Sequence, residues 1–164
     1  VRETRNGQIG VLGTEATIKS ETYTKEIRKL MPEAEVIGKP CPLFVPLVEE
    51  GFAKHKITEE VIDIYLSDMR KSEIDTLILG CTHYPLLLDK IRQFTPEPIR
   101  IISQGEYVAR SLQDYLNRHP EMDARCEKGG KCRFLTTESE NKFEESASIF
   151  LGRQDIKVKS IALE

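Results

Sequence analysis

A chain of 164 residues, 39% hydrophobic and 31% charged, is long enough to bury one core, or a core and part of another, and fits no disorder class. A formal net charge of -3 and a pI near 5.8, with no polybasic cluster, provide no basic surface for nucleic acid, so an anionic substrate would need local donors. No apolar run reaches the length of a membrane span, the amino end lacks a signal peptide's apolar centre, and four cysteines without secretory features argue against a disulfide framework, which makes the cytoplasm the expected compartment.

The chain opens on valine and meets its first apolar strand almost at once, which suggests that a natural amino-terminal part has been removed. Residues 8–12 read as a short buried strand, after which Gly13 and Thr14 turn into a helix spaced over 15–30. Thr14 and Thr17 sit on one side of that helix start. Their hydroxyls either cap the helix or, with nearby amides, meet one carboxylate, since anions favour helix amino ends. Met31-Pro32 ends the helix, 34–38 forms a second strand, and Lys39-Pro40-Cys41-Pro42 forbids regular structure until a short helical run over 45–50. Cys41, between two prolines and with no histidine or acid beside it, reads as a packing residue. Glu49 and Glu50 close the run, a position where acids ordinarily face solvent.

Thr58-Glu59-Glu60 starts a helix whose Val61, Ile62, Tyr65, Leu66 and Met69 recur at helical spacing. It leads to an apolar strand over 75–79, followed by a helix over 85–94 with proline in its first turn. Cys81 therefore lies at a strand-to-helix junction, where unpaired amides favour thiolate and His83, two residues on, is a natural proton partner. The competing reading is a small buried cysteine with a histidine that merely bonds the next loop. Thr95-Pro96-Glu97-Pro98 breaks the helix and marks a plausible boundary. Beyond it come a strand over 99–102, a helix over 106–117 with Val108, Leu112 and Leu116 inward, a polar loop over 118–131, a strand over 133–136, a helix over 140–151 and a last strand over 157–163. Cys126 and Cys132, with His119 nearby, lack the two-residue spacing and the second pair of a metal knuckle. Strands alternating with helices predict an α/β fold, a parallel sheet flanked by helices, with ligands beyond the carboxyl ends of the strands.

The segment Gly80-Cys81-Thr82-His83-Tyr84-Pro85-Leu86-Leu87 resembles the second catalytic-cysteine motif of bacterial glutamate racemases. The stretch from Ile9 to Ser20 resembles that family's glycine-threonine loop, and the stretch from Cys41 to Gly51 its proline-rich acidic loop, in the same order. Related aspartate racemases usually carry glutamate at the place of His83, which points to the glutamate branch. The resemblance implies one complete racemase-type domain over 1–97 and, over 98–164, the carboxy-terminal part of a second, similar domain, with substrate between them. It implies cofactor-independent, two-base interconversion of L-glutamate and D-glutamate for peptidoglycan, with Cys81 as one base and Glu49 directed to His83 or to the substrate ammonium. Thr14, Thr17 and Thr82 would contact substrate, no metal or cofactor would be held, and the whole enzyme would be a homodimer. The family's opposing cysteine belongs to an Ala-Cys-Asn-Thr type segment absent from these 164 residues, so the chain alone is expected to be inactive. Two further readings are a cysteine-nucleophile hydrolase or transferase built on Cys81, His83 and Glu49, and a non-catalytic glutamate-binding module.

Overall fold

A computed structural model describes residues 1–163, which fall into two compact units, the first Val1–Leu112 and the second beginning at Gln113. The first is built on four parallel strands, β1 (Gln8–Gly13), β2 (Glu35–Pro40), β3 (Thr76–Leu79) and β4 (Arg100–Ser103), in the order β2-β1-β3-β4. Parallel strands covered on both faces require apolar side chains on both, and β1 shows how they are divided. Leu12 enters one core with Phe44, Ile62, Leu77, Tyr84 and Ile91, while Ile9 and Val11 enter another with Ile27 and Ala34.

The first core is closed by α3 (Phe44–Glu49), α4 (Lys56–Leu66) and α5 (Leu88–Phe94), the second by α2 (Thr22–Leu30). The single helix expected over 15–30 is two, α1 (Glu15–Lys19) and α2. Glu21 adopts a left-handed conformation (φ 55°), and the Ser20 hydroxyl donates to the Thr17 carbonyl at 2.8 Å while accepting from the Thr22 amide at 3.3 Å. Serine competing for backbone groups in this way breaks the helix where neither glycine nor proline marks a stop.

The first compact unit extends past residue 97, to Leu112. Residues of β4 satisfy their backbone groups by pairing with β3, Ser103 opposite Leu79, so the proline-rich stretch before them is a turn inside the unit rather than a linker. The helix α6 (Gln104–Arg118) then runs through the division at Leu112. Its Val108 and Leu112, expected to point inward, are 62% and 55% exposed. Spacing decides which side chains share a face, whereas burial needs a second surface against that face.

In the second unit a short helix, α7 (Pro120–Asp123), interrupts the expected polar loop. β5 (Phe134–Thr136) pairs in parallel with β6 (Val158–Ser160) through the crossover helix α8 (Glu140–Leu151), and β6 is shorter than the strand expected over 157–163. Glu144 and Glu140 accept from the Val158 and Ser160 amides at 3.0 and 2.6 Å, which ties α8 to β6. Among the described residues no helix is long and apolar enough to cross a membrane.

At the opposite end of the main sheet from the strands' carboxyl ends, Asp75 anchors the first residues of the chain. Partial burial would raise its carboxyl, but donation from the Thr4 hydroxyl at 2.6 Å, the Arg5 and Asn6 amides at 2.6 and 2.9 Å and the Thr76 hydroxyl at 2.9 Å outweighs burial and holds it at about 2. A depressed carboxyl contributes stability that is complete above its unfolded value, near 3.8, and is lost as the pH falls toward 2. Asp75→Asn is therefore expected to cost about 2 kcal/mol at pH 7 in urea unfolding, with the gap to the parent closing near pH 2. A gap independent of pH would show that the anchor does not depend on the charge.

Candidate active site

From β1 the chain passes to β2 on one side and later reaches β3 on the other, so the carboxyl ends of β1 and β3 form the sheet's topological switch point, where open parallel sheets receive ligands. Gly13 and Thr14 follow one strand, Gly80 and Cys81 the other. The Gly80 amide donates to the Leu12 carbonyl at 2.7 Å and holds the two strand ends side by side.

Cys81 is partly exposed, and its Sγ stands 4.0 Å from His83 Nδ1. His83 Nε2 meets Glu49 Oε1 at 3.2 Å. A carboxylate only accepts, which places the imidazole proton on Nε2 and turns Nδ1 toward Cys81 as an acceptor. Thr82 Oγ1 lies 3.4 Å from the same Nδ1. The Glu49 side chain is 58% exposed, so the pair adds at most about 1 kcal/mol to stability and serves to orient the ring. Of the two neighbouring acids, Glu49 is the one that meets His83.

The local backbone is not the one expected from spacing. A 3₁₀ turn, Tyr84–Leu87, follows Cys81, and the α-helix begins only at Leu88. The aligned amides of a long helix are therefore not at the sulfur, and its proton partner is His83. Tyr84 anchors the turn from within the core: its hydroxyl donates to the Cys41 carbonyl at 3.0 Å, and its ring stands edge-on to Phe44 with centroids 5.1 Å apart.

Thr14 caps α1, accepting from the Thr17 amide at 3.2 Å, and the two hydroxyls lie 2.9 Å apart. The hydrogen bonds thus join Cys81, Thr82, His83 and Glu49 in one group and Thr14 with Thr17 in another, and the two groups follow neighbouring strands, β3 and β1. Cys41 is fully buried, and burial, opposed by Lys39, pushes its thiol up to about 12, so it is a packing residue. Cys126 and Cys132 are exposed in the second unit. Among the described residues no three His, Cys, Asp or Glu side chains are grouped to hold a metal ion.

Cys81 and Thr82 line a cavity of about 570 Å³ together with Tyr23, Pro85, Ser103 and Gln104, a volume within the range of small-molecule sites, roughly 300–1,000 Å³. Tyr23 and Gln104 carry no motif. They meet across 81 residues of sequence, a pairing that only the fold brings about. Burial raises the Tyr23 hydroxyl, the bond from Gln104 opposes that rise, and the nearby Cys81 reinforces it.

No protein-family model matches the chain. It is 44% identical over 163 residues to the glutamate racemase of Persephonella marina, covering 99% of this chain and 59% of that protein. Among solved structures, a glutamate racemase isoform from Bacillus anthracis superposes with a TM-score of 0.89 at 36% identity, covering 99% of this chain and 60% of that one. The glutamate racemase of Francisella tularensis, solved in complex with D-glutamate, superposes with a TM-score of 0.84 at 32% identity over 95% of this chain and 58% of that one. The chain thus spans about three fifths of the length of the curated relatives it matches.

Proposed function

Because the chain is a homologue of glutamate racemases along almost all of its length, we propose that it supplies one of the two acid-base faces of such an enzyme, which interconverts L-glutamate and D-glutamate without a cofactor. The observation that carries this reading is the line from Glu49 through His83 to Cys81 at the switch point of the sheet.

Inverting an α-carbon requires a group on each face, one removing a proton and the other returning one. Cys81 works on one face. As thiolate it takes the α-proton of one enantiomer into a new S–H bond while the other base protonates the opposite face. As thiol it delivers a proton to its own face when the opposite enantiomer has lost its α-proton to the other base, and His83 Nδ1, oriented by Glu49, receives or returns the sulfur's proton between turnovers. The electron pair left on carbon is spread into the substrate's α-carboxyl group, whose growing charge Thr82 and neighbouring amides offset. Thr14 and Thr17 hold substrate from the first turn after β1. The other base comes from outside these 164 residues, so the chain alone gives no net inversion.

The second unit, a lone crossover of two strands, is part of a further α/β domain completed from elsewhere, since two strands alone are marginally stable. The complete enzyme is a cytoplasmic homodimer that supplies D-glutamate for peptidoglycan, with neither nucleic acid nor membrane as a partner.

The test joins the chain to the remaining two fifths of the Persephonella marina relative in one polypeptide. Circular dichroism of glutamate is expected to decay from either enantiomer, without added pyridoxal phosphate and in the presence of a chelator, and to stay constant with the chain alone. The joining of Cys, His and Glu also favours a nucleophile reading; a substrate adduct of Cys81 seen by mass spectrometry, without inversion, would decide for a hydrolase or transferase.

A further inference from the structure

Cys81 is held by more than its own motif. The Gln104 carboxamide donates to the Leu79 carbonyl at 3.1 Å and to the Tyr23 hydroxyl, spanning the end of β3 and the face of α2. A carbonyl only accepts, so the amide nitrogen must face Leu79, and both of its N–H groups are engaged. The residue enclosed by this bridge is Gly80. A Cβ placed there would stand 2.8 Å from the Leu12 carbonyl oxygen and 3.2 Å from the Tyr23 ring. Gly80 is thus squeezed between β1 and Tyr23, while Gln104 ties Tyr23 to the residue before it. Cys81 is the next residue along, and its sulfur reaches His83 only at the limit of a sulfur hydrogen bond, 4.0 Å.

We propose that Gln104 is a positioning residue, whose bridge from Tyr23 to the Leu79 carbonyl fixes the Gly80 turn at the height that brings Cys81 onto His83. This deepens the assignment of Cys81 as the reactive group and rests on it. Gln104→Leu keeps the bulk and removes both donors. Tyr23→Phe removes one end of the bridge and leaves the Leu79 bond.

The experiment follows iodoacetamide alkylation of the folded chain from pH 6 to pH 10, with peptide mapping to separate Cys81 from Cys126 and thermal unfolding to establish that each variant is folded. In Gln104→Leu the Cys81 rate at pH 7 is expected to fall about threefold or more and its pH profile to move to higher pH, while Cys126 is unchanged; Tyr23→Phe gives a smaller shift in the same direction. A Cys81 profile that overlays the parent's in folded Gln104→Leu overturns the proposal. Should that variant fail to fold, an unchanged profile in Tyr23→Phe does so. A parent Cys81 that already reacts as slowly as Cys126 overturns both this role and the assignment of Cys81, whereas a fast parent Cys81 with unshifted variants overturns the role of Gln104 alone.

Discussion

Alanine in place of Cys81 is expected to lower glutamate interconversion by roughly a thousandfold or more in the completed polypeptide, because a positioned acid-base group contributes about 10²–10⁴ and no neighbouring side chain takes its place. Cys41, the other cysteine of the first unit, is fully buried, with its thiol held at about 12. His83→Asn should lose less, since the sulfur remains, and Glu49→Gln less again, since an amide still contacts the ring but, able to donate as well as accept, no longer fixes the proton on Nε2. Cys126→Ala, in the second unit, is the control expected to leave the rate unchanged. Equal losses in all four variants would show that the measurement follows stability, not chemistry.

The largest loss of stability is expected from Tyr84→Ala. The ring is fully buried and stands edge-on to Phe44, and removing it costs about 3–5 kcal/mol in cavity and contacts. The Cys41 carbonyl also loses its donor, at about 1–3 kcal/mol more. Against a total of about 5–15 kcal/mol, that leaves a chain substantially unfolded in mild urea. Tyr84→Phe separates the two contributions: it keeps the ring and should cost only the hydrogen-bond part. Because Tyr84 follows Cys81-Thr82-His83 directly, the same core that stabilises the unit also fixes the candidate site. A loss under about 1 kcal/mol for Tyr84→Ala in urea unfolding would contradict this.

Much of the first unit was legible in the sequence for a physical reason. Buried parallel strands need apolar runs bounded by turn residues, and the stretches ending in Gly13 and Leu79 have that form. The place of Cys81 beyond a strand followed from the same pattern. Hidden were features decided by tertiary partners or by single hydroxyls: the break at Ser20 and Glu21 lies in a stretch without glycine or proline to announce it, and the delay of the α-helix to Leu88 leaves its spacing intact. The spacing of Val108 and Leu112 gives a shared face but not its direction, and both side chains are exposed. Tyr23 and Gln104 lay beyond reach, because a tyrosine on one helix and a glutamine at the start of another announce nothing until the sheet places both beside Gly80.

The most direct measurement of Cys81 as an acid-base group on one face of glutamate is deuterium entry at the α-carbon during the first turnovers. In deuterated water, with the completed polypeptide and each enantiomer in turn, the product formed is expected to carry deuterium while unreacted starting material keeps its protium, and Cys81→Ala should abolish entry into the product. Deuterium entering the product of Cys81→Ala at the parent's rate would contradict the account.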